Sequence, residues 1–322
     1  MEYDVVALGE LLVDFLCLPA DGTGYPVMAA HPGGAPANFL AALAACGART
    51  ALLAKVGADA FGRMLTDAVA AAGIDARGIV RTADVFTTLA FVTLDSRGER
   101  EFSFARKPGA DTCLRFEELE LSMLEHTKAF HFGTLSLTDE PARSATRRAL
   151  EYARQCGCLI SCDPNYRPPL WSSAAEAAEQ MRWALEQSDV VKLSDEEAEF
   201  LFGRNAADAA DYIVERCGVK LVFVTCGERG CRFRNRNAGG FVPALSGLAV
   251  RDTTGAGDIF GGSAVWKLLQ YGLPPEALNE AQLREIVTFA NTAAGLSVTK
   301  AGGLSSVPTT EEIAARLAAD RT

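Results

Sequence analysis

The stretch "DTTGAGDIFGG", residues 252–262, holds the residue types from which a phosphoryl-transfer site can be built. Gly255 and Gly257 permit a tight turn that a side chain would strain. The residues that follow, "IFGGSAVWKLLQ", have helical spacing, with Phe260, Ala264, Leu268 and Leu269 near one face. Gly255, Ala256 and Gly257 thus present backbone amides at a helix start, where aligned N–H groups and the helix dipole favour an anion. Asp258 falls in the first turn beside them, and two roles are open to it. One is to cap the helix. The other is to take a proton from an attacking hydroxyl while the amides hold the charge of a transferring phosphoryl group. Such a reaction needs mainly positioning, charge neutralisation and one carboxylate.

A second glycine turn, "HPGGAPANFLAALAACG", spans 31–47. Gly33 and Gly34 precede a helix-like run of small residues with Asn38 in its first turn. An amide side chain both donates to and accepts from sugar hydroxyls, but close helix–sheet packing also calls for small residues. Neither stretch is a Walker A loop, since G-x4-G-K-[ST] occurs nowhere. Neither is a dinucleotide fingerprint, because Phe260 stands where the third glycine would be.

These residues need a scaffold, and the chain's periodicity supplies one. Short apolar runs at 4–9, 51–57, 128–133, 158–163, 189–194 and 220–227 read as buried strands. Helix-like segments lie near 37–46, 59–72, 140–155, 174–187, 195–217, 256–271, 282–299 and 310–319. This alternation predicts an α/β fold, a mostly parallel sheet with helices on both faces and ligands beyond the carboxyl ends of the strands. Two regions depart from it. Residues 11–31 carry no helix signal. Residues 85–106 read as a β-hairpin turning at "DSRG", with Arg100, Phe102, Phe104 and Arg106 on one face. That hairpin is either an ordinary edge or a lid over the ligand edge.

The 322 residues are 49% hydrophobic, enough for a large core, and carry a formal charge of -10, which disfavours a nucleic-acid partner. Nine cysteines follow no secretory leader, and no apolar run approaches the roughly 18 residues of a membrane span. The expectation is a cytoplasmic protein with reduced thiols and no membrane partner. Cys156, Cys158 and Cys162 cluster, but none of the three histidines sits beside them, so they read as small core residues rather than zinc ligands.

Together, "GGAPANFLAALAACG" and "DTTGAGDIFGG" resemble the two signatures of the PfkB (ribokinase-like) family of carbohydrate kinases, in the expected order and spacing. The resemblance runs from "ALGELLVDF" to "TKAGGLSSVPT". It implies one kinase domain over 1–322: a ribokinase-like three-layer α/β/α sandwich with a small β lid formed by about 11–31 and 85–106. It implies Asp258 as general base and the amides of Gly255, Ala256 and Gly257 as the anion hole. Lys192, Thr225, Gly227, Gly230, Asn291 and Gly302 would lie toward ATP. "SDEE" (194–197) aligns with the family's Asn-x-x-Glu motif, with Ser194 replacing the Asn, so that Glu197 would place Mg2+ through water. Asp252 and Thr254 resemble positions lining a monovalent-cation site, K+ being the candidate, in some members.

On the sugar side Asp14, Gly33, Gly34, Asn38, Phe104 and Arg106 match binding positions, and Arg167 in "DPNYR" would meet phosphates or sugar. "GELLVDF", "FSFARKPGAD", "FHFGTLSL" and "DPNYRPPLW" resemble fructokinases and, close by, 2-keto-3-deoxygluconate kinases. The implied reaction moves the γ-phosphoryl of MgATP to a primary hydroxyl of fructose. The alternatives are another sugar or nucleoside acceptor, a non-catalytic sugar or nucleotide sensor on the same scaffold, and, more remotely, a dehydrogenase. Family members often pair through the lid strands, so a homodimer through the lid is a further expectation.

Overall fold

The computed structural model describes residues 2–18, 22, 25–94 and 100–319. The chain opens with β1 (Tyr3–Leu8), β2 (Leu12–Leu18), β3 (Val27–Gly33), α1 (Ala35–Ala45), β4 (Thr50–Gly57) and α2 (Ala60–Ala71). Two short strands, β5 (Ile74–Asp75) and β6 (Ile79–Thr82), lead to β7 (Leu89–Leu94) and β8 (Arg100–Ala105). Then come α3 (Ser122–Glu125), β9 (Thr127–Gly133), α4 (Ala142–Gln155), β10 (Leu159–Asp163), α5 (Ala174–Glu186), β11 (Val190–Ser194), α6 (Asp195–Phe202) and α7 (Ala206–Arg216). The C-terminal part holds β12 (Leu221–Thr225), β13 (Gly230–Asn235), β14 (Gly239–Pro243), α8 (Ala256–Tyr271), α9 (Glu280–Ser297) and α10 (Thr310–Ala319).

The large sheet runs β14-β13-β12-β11-β10-β9-β1-β4-β5, with β6 also on β4. From β12 to β5 every pairing is parallel, while β13 and β14 extend it antiparallel at one edge. Parallel strands buried on both faces need apolar residues at every position, and β1 shows why. Val6 and Leu8 pack into one cluster with α4, α5, α6 and α7. Val5 and Ala7 pack into the other, with α1 and part of α8. The result is three layers, α/β/α. A Cβ on Gly262 would lie 2.2 Å from the Phe39 carbonyl oxygen, so this glycine lets α8 press its backbone against α1.

The helix expected over 195–217 is two helices. Gly203 adopts the left-handed conformation and closes α6, and the Asn205 side chain accepts from the Ala207 and Asp208 amides to open α7. Strands β13 and β14 lie where no strand was expected. Among the clustered cysteines, Cys158 and Cys162 are buried but Cys156, at the end of α4, is exposed.

A separate four-stranded sheet, β3-β2-β7-β8, takes its strands from the two segments that break the βα alternation. Strands β7 and β8 pair antiparallel as a hairpin; its "DSRG" turn and the Arg100 side chain lie outside the described residues. Directly after β8, Arg106 turns into the protein. Its guanidinium donates to Asp111 Oδ2 (2.8 Å), Thr138 Oγ1 (2.9 Å) and the Leu135 carbonyl (2.8 Å). The Arg106 and Asp111 side chains are each 3% exposed, and the Thr88 hydroxyl donates to the second Asp111 oxygen. The small sheet is thus anchored by a dry ion pair. Replacing Arg106 by Met leaves the Asp111 charge buried and unpaired, and should cost about 3–5 kcal/mol in urea unfolding. Adding Asp111→Leu should recover most of that loss. A single-variant cost near zero would mean that water reaches the pair.

Candidate active site

At the carboxyl ends of the parallel strands, under the small sheet, lies a cleft of about 720 Å³. Strands stop there because the chain must turn into helices, and each turn delivers polar groups to the same place. β10 ends in Asp163, β11 in Ser194 and β12 in Thr225, and the small sheet adds Asp14, Phe102 and Phe104 from above.

The floor is the start of α8. Gly255 is its N-cap, with φ 76°, a left-handed conformation that favours glycine, and no side chain caps this end. Among the described residues the amides of Gly255, Gly257 and Asp258 donate to no protein acceptor, whereas that of Ala256 makes a long 3.3 Å bond to the Thr253 carbonyl. The unpaired amides therefore keep Gly255 and Gly257 of the expected set and exchange Ala256 for Asp258. Asp258 does not cap its own helix. Its Oδ2 accepts from Asn38 Nδ2 at 2.9 Å, joining α8 to α1.

Burial, and then the nearby charge of Asp163, push the Asp258 carboxyl up to about 6, while the Asn38 N–H, Lys192 and Arg167 pull it back. Lys192 Nζ lies 2.9 Å from Asp163 Oδ2 and 2.8 Å from where a Gly257 Cβ would stand, beside the helix start. Burial opposes its charge, but Asp163, Glu197 and Asp258 prevail and hold it above the ordinary lysine value. Burial likewise raises Asp14 to about 6, with Arg167 opposing the shift and Asp252 adding to it.

The remaining residues singled out in the sequence divide into two groups. Asp14, Gly34, Asn38, Phe104, Arg167, Lys192, Glu197, Thr225, Gly227 and Thr254 line the cleft together with Gly255, Gly257 and Asp258. Gly33 lies against the Asp14 carboxylate. Glu197 closes a capping box with Ser194, and its two oxygens accept from the Tyr166 and Ser194 amides, both at 2.7 Å. It thereby pins the "DPNYR" loop to α6.

Arg106 is not brought into the cleft, because its donors are spent on the anchor described above. Asp252 sits behind the wall, accepting from Thr254 at Oδ1 and from the Gly302 amide at Oδ2. Gly230 turns the chain between β12 and β13. Asn291 lines a second cavity, of about 350 Å³, with Leu245, Thr288 and Arg316, and its Nδ2 holds the Val242 and Pro243 carbonyls at the end of β14.

Four polar residues of the cleft wall, among others, were missed. Asn165, at φ 50°, sits in the "DPNYR" loop, and the Arg229–Asp195 ion pair stands on the rim. Glu10 lies only four residues before Asp14, and as an acidic residue interrupting an apolar run it carried a signal of its own.

Comparison with known proteins agrees with this geometry. Residues 4–310 match the model of the pfkB family carbohydrate kinases. A probable fructokinase-4 of Arabidopsis thaliana is 41% identical over 315 residues, covering 96% of this chain and 95% of that protein. A crystal structure of Xylella fastidiosa fructokinase with bound ATP superposes with a TM-score of 0.92 at 31% identity, covering both chains completely (100% each). A Vibrio cholerae fructokinase with fructose, ADP and calcium bound has a TM-score of 0.83 at 29% identity, covering 98% of this chain and 99% of that one. On the match of the family model and of these relatives, this chain is a member of the pfkB family of carbohydrate kinases.

Proposed function

We propose that the protein is a fructokinase, transferring the γ-phosphoryl group of MgATP to the C6 hydroxyl of fructose. The observation that carries this reading is the place of Asp258, where two ends of one cleft meet. Toward the small sheet lie Asp14, Asn38 and Phe104, groups suited to a neutral polyol: an acidic acceptor, an amide and an apolar face. Toward β11 and β12 lie Lys192, Thr225, Gly227 and the α8 amides, suited to phosphates.

In this reading Asp258 takes the hydroxyl proton, the freed oxygen attacks phosphorus, and the bond to ADP breaks with its electron pair leaving on ADP. The amides of Gly255, Gly257 and Asp258 hold the charge gathering on the equatorial oxygens. Lys192 and Arg167 add fixed positive charge, and the small sheet excludes water. Magnesium would come with the nucleotide and supply positive charge against its phosphates. The carboxylates of Asp163 and Glu197 face that end and fit a role in orienting its water shell. The Asp252–Thr254 knot is where a potassium ion would be held. Asn291 and its cavity, with the Gly302 stretch, fit the adenine side.

A carboxylate-bearing acceptor such as 2-keto-3-deoxygluconate is less well served. Arg106 is committed to Asp111, which leaves that task to Arg167, already shared between Asp14 and Asp258. The exposed Leu18 and Phe102 of the small sheet give a homodimer an apolar surface. Nine free cysteines fit a cytoplasmic setting.

The direct test is ADP release with MgATP and a panel of sugars. Fructose should give the highest kcat/KM; a higher value for 2-keto-3-deoxygluconate or ribose would overturn the acceptor assignment. Asp258→Asn should lower kcat by about 100- to 10,000-fold with little change in the KM for ATP. Near-normal turnover would remove Asp258 from the base role.

The pH profile follows from the same groups. A base must be ionised, and Asp258, raised to about 6, is ionised above that value and neutral below it. Asp14 loses its charge over the same range. The kcat/KM for sugar should therefore be full above neutrality and fall as pH drops through about 6, more steeply than a single-proton titration. A profile flat down to pH 5 would contradict the assignment.

A further inference from the structure

Glu10 is buried, 2% exposed, on the loop between β1 and β2, and the mechanism above gives it no task. Its Oε1 accepts from the Ala35 amide at 2.9 Å, the first amide of α1. Its Oε2 meets no donor of the protein among the described residues. A half-satisfied buried carboxylate opposes folding, and an apolar residue would avoid that penalty. The fold keeps the group at the one helix start that carries Asn38.

The contact is close and one-directional. Gly34, at φ 119°, precedes the helix, and a Cβ there would lie 2.5 Å from the Glu10 carbonyl oxygen. The Gly34 carbonyl accepts from the Asn38 amide at 3.1 Å, and the Asn38 side chain holds Asp258. Asn38 is itself 4% exposed, and among the described residues its Oδ1 has no donor. A single bond therefore sets its orientation, and a small shift of the helix start would loosen that bond.

We infer that Glu10 is a positioning residue for phosphoryl transfer: its carboxylate pins the first turn of α1, and the pinned turn holds Asn38 on the Asp258 carboxylate. The inference rests on the base role of Asp258. It gives that role a support from outside the reacting groups, since Glu10 acts through Ala35, Gly34 and Asn38. The charges around Glu10 are Arg106 and Asp111, and those around Asp258 are Asp163, Lys192 and Arg167. Burial raises Glu10 to about 7, offset by its own amide, that of Ala35 and Arg106.

The test breaks the pin from both ends. Glu10→Met removes the acceptor. Ala35→Pro removes the donor at a helix position where proline is well tolerated. Either variant should lower kcat by about 10- to 100-fold with the KM for ATP unchanged. The informative readout is the pH profile. The Asn38 bond holds the Asp258 carboxyl down, so loosening it should move the acid limb of kcat/KM up by about one unit. Asn38→Ala should move it in the same sense, and Glu10→Met combined with Asn38→Ala should move it no further. Glu10→Gln, which keeps an oxygen for the Ala35 amide, should restore most of the wild-type limb.

A limb unmoved in whichever of the two pin-breaking variants folds would overturn the inference, whatever happens to melting temperature. A fully additive double variant would do the same. Full turnover in Asp258→Asn would instead remove the base assignment and this inference with it, so the two failures are told apart.

Discussion

In the proposed reaction the Asp258 carboxylate has to be nearly buried and still ionised, and the Asn38–Asp258 hydrogen bond is where the fold meets that demand. Burial is the largest cause that raises the Asp258 carboxyl, and the neighbouring Asp163 pushes the same way. Asn38, Lys192 and Arg167 counter the shift, and of these only Asn38 is bonded to the carboxylate directly. The two partners are 220 residues apart in the chain. They meet because α1 and α8 lie backbone to backbone, which Gly262 allows. Packing in the outer helical layer therefore governs chemistry at the strand ends.

The small sheet imposes the second constraint. It must lie over the cleft, yet it leaves the main sheet through short loops and has its own strand order. Its fixed point is the Arg106–Asp111 pair at the exit of β8. A buried ion pair is a costly tether compared with apolar packing, but it is directional. It orients the exit of β8. The same anchor fixes the end of the strand that carries Phe104 to the cleft wall.

Much of this was legible before any coordinates. The strands of the parallel sheet were visible because burial on both faces forces unbroken apolar runs. The helix start at 255–258 was visible because glycines, a carboxylate and helical spacing coincide. Strands β13 and β14 escaped notice because they lie at the sheet edge, with alternating exposure and the polar residues Arg232 and Arg234. The break at Gly203 was hidden by apolar residues on both sides that kept helical spacing. Arg106 shows a sharper limit: sequence places it on the strand face beside Phe104, but only tertiary packing reveals that Asp111, five residues on, folds back to claim it. Asp258 shows the converse. The sequence left capping and proton abstraction open, and the structure removes capping because the Asp258 carboxylate turns to another helix.

The chain's acidity then stops being a puzzle. With a net charge of -10 it cannot draw a triphosphate by long-range attraction. Among the described residues the cations that line the cleft are few: Lys192 is paired with Asp163, Arg229 with Asp195, and the charge of Arg167 is felt by Asp14 and Asp258. Beside these side chains an anion meets a row of peptide N–H groups at a helix start. These carry no net charge and need no counter-ion when the cleft is empty, yet in a low-dielectric site they are strong donors. Because their reach is limited to the first turn, they favour charge at one position rather than anywhere along a polyanion. An electropositive groove would hold substrate and product phosphates alike. In the proposed reaction a short row of amides beside Asp258 would instead concentrate stabilisation where the phosphoryl group changes partners, the arrangement that lowers a barrier without trapping the product.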